Sequence, residues 1–396
     1  MGHLTINTSA VFPDSEQLKA AGFLEGWLTA ERIHQHFQNM VAFYETSNNE
    51  NGPAQFQFLA TQEVWLRHQM NSSDTQQSPF WAYIRLLMAQ FDGLVQVGRR
   101  RHEPGSGLVT DWDSLSPREL AVELAAPGRC TAFVKVTPDF SDIFVAQAAW
   151  FTYAAMVRIF KHYHFKLHDT SLPGTDLAYS SYPGQLSSDD DFYLVNPTHL
   201  AVLQTTNRLF NESLLDTIQP QAVLSWQRVR SALSAASSGK EWAQLVGLHN
   251  SGTYTNSWLV IDLKRFSPGR PLQHGLLTVV EQVPDAMFSA DFTHILESGY
   301  FALYNVPALQ PAYEALGYPA FLASQHAMPA AGCYDGKVSS FAMALALEAE
   351  VVNGPTVTPD LPPFTWEGRW QNALLHLGQP QRFNFTWERM TPVAWP

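Results

Sequence analysis

The chain is 396 residues long, and 45% of its residues are hydrophobic and 13% aromatic, which is enough apolar material for a large core. Charged residues make up 15% of the chain and the formal net charge is -12, so the basic face that nucleic-acid binding needs is not expected. No apolar run reaches the roughly 18 residues of a membrane-spanning helix, and the first residues do not read as a signal peptide. We therefore expect no transmembrane segment and no nucleic-acid partner.

The first third of the chain is predicted to be helical. Apolar residues spaced three to four apart follow Pro13-Asp14-Ser15 and predict one long amphipathic helix that ends before a polar break at 48–53. A second helix is predicted over 56–70, and a third begins at Ser78-Pro79. The stretch from Pro104 to Gly128 is rich in loop-forming residues, which makes it the best candidate for a linker or processing segment.

A strand hairpin is predicted directly after that loop. Cys130 opens the first strand, and a second strand begins at Ile143. A thiol has an ordinary pKa of about 8.5, and cleavage of the chain before Cys130 would create an α-amine, pKa about 7.7–8.0, able to take its proton. The alternatives are a cysteine that only fills the core, or a disulfide with Cys333, the second of the two cysteines.

The rest of the chain alternates between strand and helix patterns. The sequence predicts strands over 192–196, 200–206, 253–262, 276–283 and 301–304. It predicts helices over 150–160, 221–234, 291–297 and 340–351. Helices followed by mainly antiparallel strands and further helices indicate layered α+β packing.

The remaining motifs favour structural roles. The chain has no Gly-x-Ser-x-Gly elbow, phosphate loop or dinucleotide fingerprint. His162, His164 and His168 lack the glutamate and third ligand of a metal pattern, so we interpret them as solvated histidines at a helix end. Asn250 lies in a polar loop that leads into a strand, and the sequence alone favours an ordinary turn there.

Ordered blocks along nearly the whole chain resemble the phospholipase B-like, or lamina-ancestor-like, family. They include Asn250-Ser251-Gly252-Thr253-Tyr254, Ser181-Tyr182-Pro183-Gly184, Thr205-Thr206-Asn207, Glu281-Gln282-Val283-Pro284 and Tyr304-Asn305-Val306-Pro307. The resemblance implies an N-terminal-nucleophile hydrolase, whose α+β fold is a four-layer αββα sandwich. It also implies self-cleavage between Arg129 and Cys130, with the helical segment 1–129 staying associated with the nucleophile-bearing region 130–396 in one compact unit.

The resemblance also implies roles for particular residues. Cys130 would be the catalytic nucleophile. Thr206 and Asn305 would line the site, with Asn305 donating a hydrogen bond to the oxyanion. An amide N–H suits that role, because removing one such donor typically costs about 10²–10³ in rate. Asn250 is a second candidate donor. No metal or organic cofactor is expected.

Gln147 departs from the family pattern, which has a histidine at this position, whereas Trp150 matches it. By resemblance, Gln147 and Trp150 would form the wall beside the thiol. Glutamine can donate and accept hydrogen bonds but cannot exchange a proton near neutral pH. Two functions therefore stay open. One is a self-processing cysteine hydrolase of acyl-amide bonds or, as a true phospholipase B, acyl-ester bonds. The other is a catalytically weakened or silent lipid-binding or scaffold protein.

The expected ligand is a small lipid or acyl amide, and the expected process is lipid degradation. The resemblance implies a secreted or lysosomal glycoprotein, in agreement with Asn-x-Ser/Thr sequons at Asn7, Asn71, Asn211 and Asn384. The sequence leaves the oligomeric state open, including a homodimer.

Overall fold

The computed structural model describes residues 1–46, 53–101, 129–188, 192–324, 332–333, 335–354, 363–367 and 375–393. The predicted linker from Pro104 to Gly128 lies outside these residues. None of the helices in the described ranges combines the length and the apolar composition needed to cross a bilayer.

The three helices predicted for the first third of the chain are confirmed. They are Asp14–Thr46 (α1), Pro53–Met70 (α2) and Pro79–Arg101 (α3). Helices α1 and α3 cross closely at two glycines. A Cβ atom on Gly22 would lie 1.8 Å from the backbone oxygen of Gln90, and one on Gly93 would lie 2.0 Å from that of Lys19. Only glycine lets the two helix backbones approach this far.

Shorter helices follow along the chain. They are Ser225–Ala235 (α4), Gly239–Val246 (α5), Thr293–Leu296 (α6), Gln310–Ala315 (α7), Tyr318–Ser324 (α8) and Phe341–Leu345 (α9). Of these, α4 and α6 confirm the helices predicted over 221–234 and 291–297.

The strands confirm the predicted hairpin and the predicted strands that follow it, and add several others. They are Gly2–Asn7 (β1), Arg129–Val136 (β2), Ile143–Phe151 (β3), Ile159–His164 (β4), Asp176–Ser181 (β5), Phe192–Asn196 (β6), Leu200–Thr206 (β7), Asn256–Asp262 (β8), Leu277–Val283 (β9), Ala286–Asp291 (β10), Tyr300–Leu303 (β11), Gly332–Cys333 (β12), Asp335–Ser340 (β13), Ala349–Asn353 (β14), Phe364–Thr365 (β15), Arg382–Phe383 (β16) and Glu388–Met390 (β17).

Two large sheets contain most of these strands. Within the described residues, the first has eight strands in the order β1-β4-β5-β6-β7-β8-β9-β10. Its pairs are antiparallel except for β1 and β4, which are parallel. The second sheet has seven described strands, in the order β11-β2-β3-β13-β14-β17 with β12 also paired to β3. The small pair β15–β16 stands apart from both sheets.

The two sheets pack face to face over a shared core. One apolar cluster joins Ala132 and Val134 of β2 to Leu203 of β7 and Leu259 of β8. Neighbouring residues of the same strands point the other way, because side chains alternate along a strand. These residues, such as Val202 and Trp258, pack with helix residues in a second cluster, which includes Leu18 and Phe80.

The molecule is therefore a mixed α+β protein with a helical layer, the eight-stranded sheet and the seven-stranded sheet stacked in that order. The second helical layer and the N-terminal-nucleophile assignment stay predictions.

The helix predicted over 150–160 is wrong. This stretch contains the end of β3, a 3₁₀ turn at Tyr153–Ala155 and the start of β4. Strand β4 pairs with β1 on one side and β5 on the other. Those long-range hydrogen bonds override the local helical spacing, and β1 itself was not predicted.

The helix predicted over 340–351 is only partly correct. It covers Phe341–Leu345, after which Leu347 takes a left-handed φ of 58° and the chain continues as strand β14. A left-handed residue of this kind ends a helix.

None of His162, His164 and His168 lies at a helix end, and of the three only His168 is exposed as predicted. His162 and His164 lie on β4, and His162 is buried. The exposed His168 bonds Asp14 through its Nδ1 atom at 2.8 Å. The pairing of β4 between two other strands places two of these imidazoles in a sheet.

Candidate functional site

Cys130 lies one residue into β2, on the face of the second sheet that meets the first. It pairs with Ala149 of β3, while Ala132 pairs with Gln147. Alternation along β2 puts Cys130 on the same face as Ala132 and Val134, which belong to the core between the sheets. Cys130 is 7% exposed, so its thiol lies at the edge of a desolvated region.

The pairing of β3 excludes a disulfide between the two cysteines. Cys333 pairs with Trp150 from the side of β3 opposite to β2. The backbones of Cys130 and Cys333 are therefore two strand spacings apart, about 10 Å. A disulfide needs Cα atoms within about 7 Å of each other.

Asn305 connects Cys130 to the first sheet. Its Oδ1 accepts a hydrogen bond from the backbone N–H of Cys130 at 2.8 Å, and its Nδ2 donates to the backbone oxygen of Thr206 at 2.6 Å. These two partners fix the orientation of the amide, because one can only donate and the other can only accept. Tyr318 donates from its hydroxyl to the Asn305 carbonyl at 2.9 Å. Asn305 is held in the left-handed region, with a φ of 61°.

Thr206 contributes to the site through its backbone. Its hydroxyl accepts a hydrogen bond from Gln204 Nε2 at 2.9 Å, on the face of the sheet that meets the helices. Thr205 is the residue whose side chain alternates toward the other sheet. Its buried hydroxyl finds no hydrogen-bond partner in the described part of the chain. Thr206 therefore meets Asn305 through its carbonyl and not through its side chain.

Gln147 lies on the same face as Cys130, at the diagonal position of the neighbouring strand. Such diagonal neighbours are about 7–8 Å apart, within reach of a long side chain. Gln147 is 2% exposed, and neither its amide nitrogen nor its amide oxygen has a hydrogen-bond partner among the described residues. A buried amide left unsatisfied is costly, so this position is suited to receiving a polar group.

A buried group of charges lies on the strand beyond Gln147. Lys337 pairs with Gln147 in the sheet, and its Nζ contacts Asp335 Oδ1 at 2.8 Å. Arg158 contacts the other oxygen of Asp335 at 2.9 Å. Asp335 also accepts a hydrogen bond from the backbone N–H of Ala149 at 3.2 Å. Asp335 therefore joins two buried cations on the strand next to Gln147.

Trp150 and Asn250 lie elsewhere. Trp150 pairs with Arg129, so alternation places its side chain on the face of the sheet opposite to Cys130. Asn250 donates to the backbone oxygen of Val283 at 2.9 Å and accepts from the N–H of Gly252 at 3.0 Å. Both ends of this amide are used by the loop itself, as the turn interpretation of the sequence expected.

Four residues near Asn305 have no individual role predicted from the sequence. Tyr318 bonds Asn305 directly, and Glu281, Ser257 and Asn207 form a buried hydrogen-bonded chain beside it. Burial raises the pKa of Glu281, while hydrogen bonds from backbone N–H groups and from Ser257 oppose that rise. Glu281 and Asn207 fall within the blocks that carry the family resemblance, which was the available signal.

Metal ligands are not assembled in the parts of the chain that the structure describes. No group of three or more His, Cys, Asp or Glu side chains is placed there to hold a metal ion.

These features define a class: an α+β protein of two stacked sheets, with a buried cysteine at the start of a strand whose N–H is held by an asparagine. A family model described as phospholipase B matches residues 1–106, 107–328 and 320–390. Phospholipase B-like 1 of Rattus norvegicus is 33% identical over 94% of this chain and 81% of its own length. Phospholipase B-like 1 of Bos taurus is 34% identical, with coverage of 94% and 82%. Phospholipase B of Crotalus adamanteus is 31% identical, also with coverage of 94% and 82%. The chain belongs to the phospholipase B family.

Proposed function

We propose that this protein is a self-processing hydrolase that uses Cys130 as an N-terminal nucleophile on acyl-amide or acyl-ester bonds. Membership of the phospholipase B family supports a hydrolase. The observation that carries the mechanism is the 2.8 Å hydrogen bond from the Cys130 N–H to Asn305 Oδ1. A backbone nitrogen held by a buried side chain is what a catalytic α-amine requires, because its lone pair must keep a fixed direction toward the thiol.

Maturation begins with the thiol of Cys130. Its sulfur attacks the carbonyl carbon of Arg129, the C–N bond breaks, and the nitrogen takes up a proton to become the α-amine. The resulting thioester is hydrolysed by water, which leaves a carboxylate on Arg129 and restores the thiol.

Turnover repeats this chemistry on the substrate. The α-amine, with an ordinary pKa of about 7.7–8.0, removes the thiol proton, and the thiolate attacks the acyl carbonyl. The amine then gives the proton to the leaving nitrogen or oxygen, and water hydrolyses the acyl-cysteine. Asn305 has one amide hydrogen left after its bond to the Thr206 carbonyl, and this hydrogen is the proposed donor to the oxyanion.

Gln147 favours a second candidate, a silent lipid-binding or scaffold protein of the same fold. Its amide cannot carry charge, so it cannot stabilise a thiolate as a protonated histidine would. Its buried amide, which has no hydrogen-bond partner among the residues that the structure describes, is nevertheless suited to hydrogen bonding with a polar head group. This candidate predicts ligand binding without covalent chemistry at Cys130.

The N-terminal segment 1–129 is proposed to stay bound to 130–396 after cleavage. Strand β1 pairs with β4 along its whole length, from Gly2 to Asn7. Glu25 of α1 is buried and bonds Lys161 of β4 at 2.6 Å, and it also accepts from the Tyr163 hydroxyl. Such contacts would have to be broken together for the fragments to separate.

A secreted or lysosomal location, with glycosylation at the sequons, is also proposed. Glycosylation needs an accessible side chain. Asn7, Asn71 and Asn384 are exposed, while Asn211 is only partly exposed and donates to the backbone oxygen of Ala315 at 3.2 Å.

Intact mass spectrometry before and after incubation at acidic pH tests the proposal. We expect two associated fragments, 1–129 and 130–396. Cys130→Ala should stay uncut, and Cys130→Ser should be cut slowly because a hydroxyl can make the same attack. Cys333→Ser is the matched control and should be cut normally. An uncut wild-type chain at every pH tested would contradict self-processing.

Two further assays separate the candidate activities. Thiol labelling of Cys130 by an electrophilic acyl analogue separates an enzyme from a silent binder. Release of fatty acid from glycerophospholipids, compared with release from fatty-acyl amides, distinguishes the ester from the amide substrate.

A further inference from the structure

Glu281 is a buried carboxylate beside the candidate site. It is 0% exposed, and no cation among the described residues forms an ion pair with it. Burying an unpaired carboxylate is expensive, so hydrogen bonds must compensate for the lost hydration. Glu281 receives three, from the Ser257 hydroxyl at 2.8 Å, from the Ala308 N–H at 2.6 Å and from the Leu309 N–H at 3.0 Å.

The two backbone bonds hold the segment that follows Asn305. Ala308 and Leu309 lie three and four residues beyond Asn305, which is itself in the left-handed conformation. A residue in that region needs support from its surroundings. The carboxylate of Glu281 anchors the chain immediately after the strained position.

Through Ser257, Glu281 is also connected to a second chain segment, the one around Thr206 that bonds the Asn305 side chain. Because the Ser257 hydroxyl donates to Glu281, it is free to accept from Asn207 Nδ2, at 2.7 Å. Asn207 directly follows Thr206, whose carbonyl accepts the Asn305 amide. The next N–H, of Arg208, donates to the Tyr318 hydroxyl at 3.0 Å, and that hydroxyl donates to the Asn305 carbonyl.

We propose that Glu281 is a positioning residue, which fixes Asn305 by tying together the two chain segments that hold it. The inference rests on the proposed function, because Asn305 in turn holds the backbone nitrogen of Cys130. All three donors point at Glu281, so the carboxylate serves only as an acceptor. Its role is to set the distance and direction between Asn305 Oδ1 and the nucleophile.

Glu281→Gln is the sharpest perturbation. The variant keeps the volume and one acceptor oxygen, but its second oxygen is replaced by an NH₂ group that cannot accept from a backbone N–H. One anchor of the Asn305 segment is lost while packing is preserved. A displacement of about 1 Å in a catalytic group can cost roughly 100-fold in rate, so we expect kcat to fall by about 10- to 100-fold with KM changed less than about threefold.

A double-mutant cycle separates positioning from general destabilisation. Glu281→Gln and Asn305→Ala are made singly and together, and kcat/KM is measured for hydrolysis of a lauroyl anilide by the cleaved protein. If Glu281 acts through Asn305, its substitution should cost less than about threefold once Asn305 is alanine. An equal loss in both backgrounds would overturn the proposal.

Glu25→Gln is the matched control for burial and charge. Glu25 is also 0% exposed, and it bonds Lys161 and Tyr163 on the opposite face of the eight-stranded sheet. Any loss of activity in this variant should recur unchanged in the Asn305→Ala background, because it arises from stability alone. If the loss of activity caused by Glu25→Gln disappeared in the Asn305→Ala variant, the double-mutant cycle would fail to distinguish positioning from destabilisation.

The Cys130→Ala variant distinguishes failure of the proposed function from failure of the positioning role. A Cys130→Ala variant that hydrolyses the anilide as fast as wild type would remove Cys130 as the nucleophile, and both proposals would fall. An inactive Cys130→Ala variant with an additive cycle would remove only the positioning role. The same cycle, followed as the rate of Cys130 alkylation by iodoacetamide, needs no substrate. Positioning therefore remains testable if wild type does not cleave the anilide.

Discussion

Acidification is expected to destabilise the fold through His162. Its Nε2 lies 3.0 Å from the Leu347 carbonyl, and its Nδ1 lies 2.9 Å from Nε2 of His3 on the neighbouring strand β1. Since the carbonyl can only accept, His162 donates from Nε2, and in its neutral form Nδ1 can accept from His3. A second proton would have to enter a buried site that already faces another imidazole.

Burial lowers the pKa of His162 from 6.5 to about 4. The unfolded chain therefore binds a proton at a higher pH than the folded chain does. For a group of this kind, stability is fully present above the unfolded pKa and is lost as the pH falls from about 6.5 toward about 4. Linkage gives a loss of about 2 kcal/mol between pH 7 and pH 5, approaching about 3 kcal/mol near pH 4.

Urea unfolding at pH 7 and pH 5 measures this loss, with His162→Gln as the test variant. Glutamine can donate to Leu347 and accept from His3, but it does not titrate. The fall in free energy of unfolding between the two pH values should be about 2 kcal/mol smaller in the variant than in wild type. His294→Gln, at an exposed position, is the control and should behave like wild type. The same fall in wild type and in His162→Gln would refute the reasoning.

Three other substitutions give further predictions. Gln147→His should lower the pH midpoint of Cys130 alkylation in cleaved protein by about one unit, because a cation within about 4–6 Å stabilises a thiolate. Superimposable pH profiles would mean that position 147 does not tune the nucleophile. Asp335→Asn removes the carboxylate that pairs with the buried Lys337 and Arg158 and should cost about 3–5 kcal/mol in urea unfolding, and a loss below 1 kcal/mol would contradict the ion pairing. Gly22→Ala should cost about 1–3 kcal/mol by forcing α1 and α3 apart, and an unchanged Tm would show that the crossing can adjust freely.

The helical first third and the hairpin at Cys130 were predictable because their patterns are local. Helical spacing over thirty residues and a short polar turn between apolar runs need no knowledge of distant strands. The stretch 150–160 was not predictable in the same way. Its residues form a strand because β1 and β5, far away in sequence, supply partners on both sides.

The sequence could name residues that the structure joins to Cys130, but it could not predict the direction in which each side chain points. The resemblance named Asn305 and Thr206, but the face on which a strand residue lies depends on register, and one residue changes the face. Thr205 is therefore the threonine directed at the other sheet, and Thr206 acts through its carbonyl. Glu281 could not be given a role from sequence, because its three donors come from separate parts of the chain.

Strand β1 covers one edge of the eight-stranded sheet. Within the described residues β1 is the outermost strand of the eight-stranded sheet, next to β4. If 1–129 were removed, the N–H and C=O groups of β4 that face β1 would lose their partners, while those that face β5 would stay paired. An uncovered strand of this length is a template for intermolecular pairing. If the proposed cleavage occurs, storage conditions or protease treatment that remove the 1–129 fragment should therefore produce aggregates before they produce an inactive monomer.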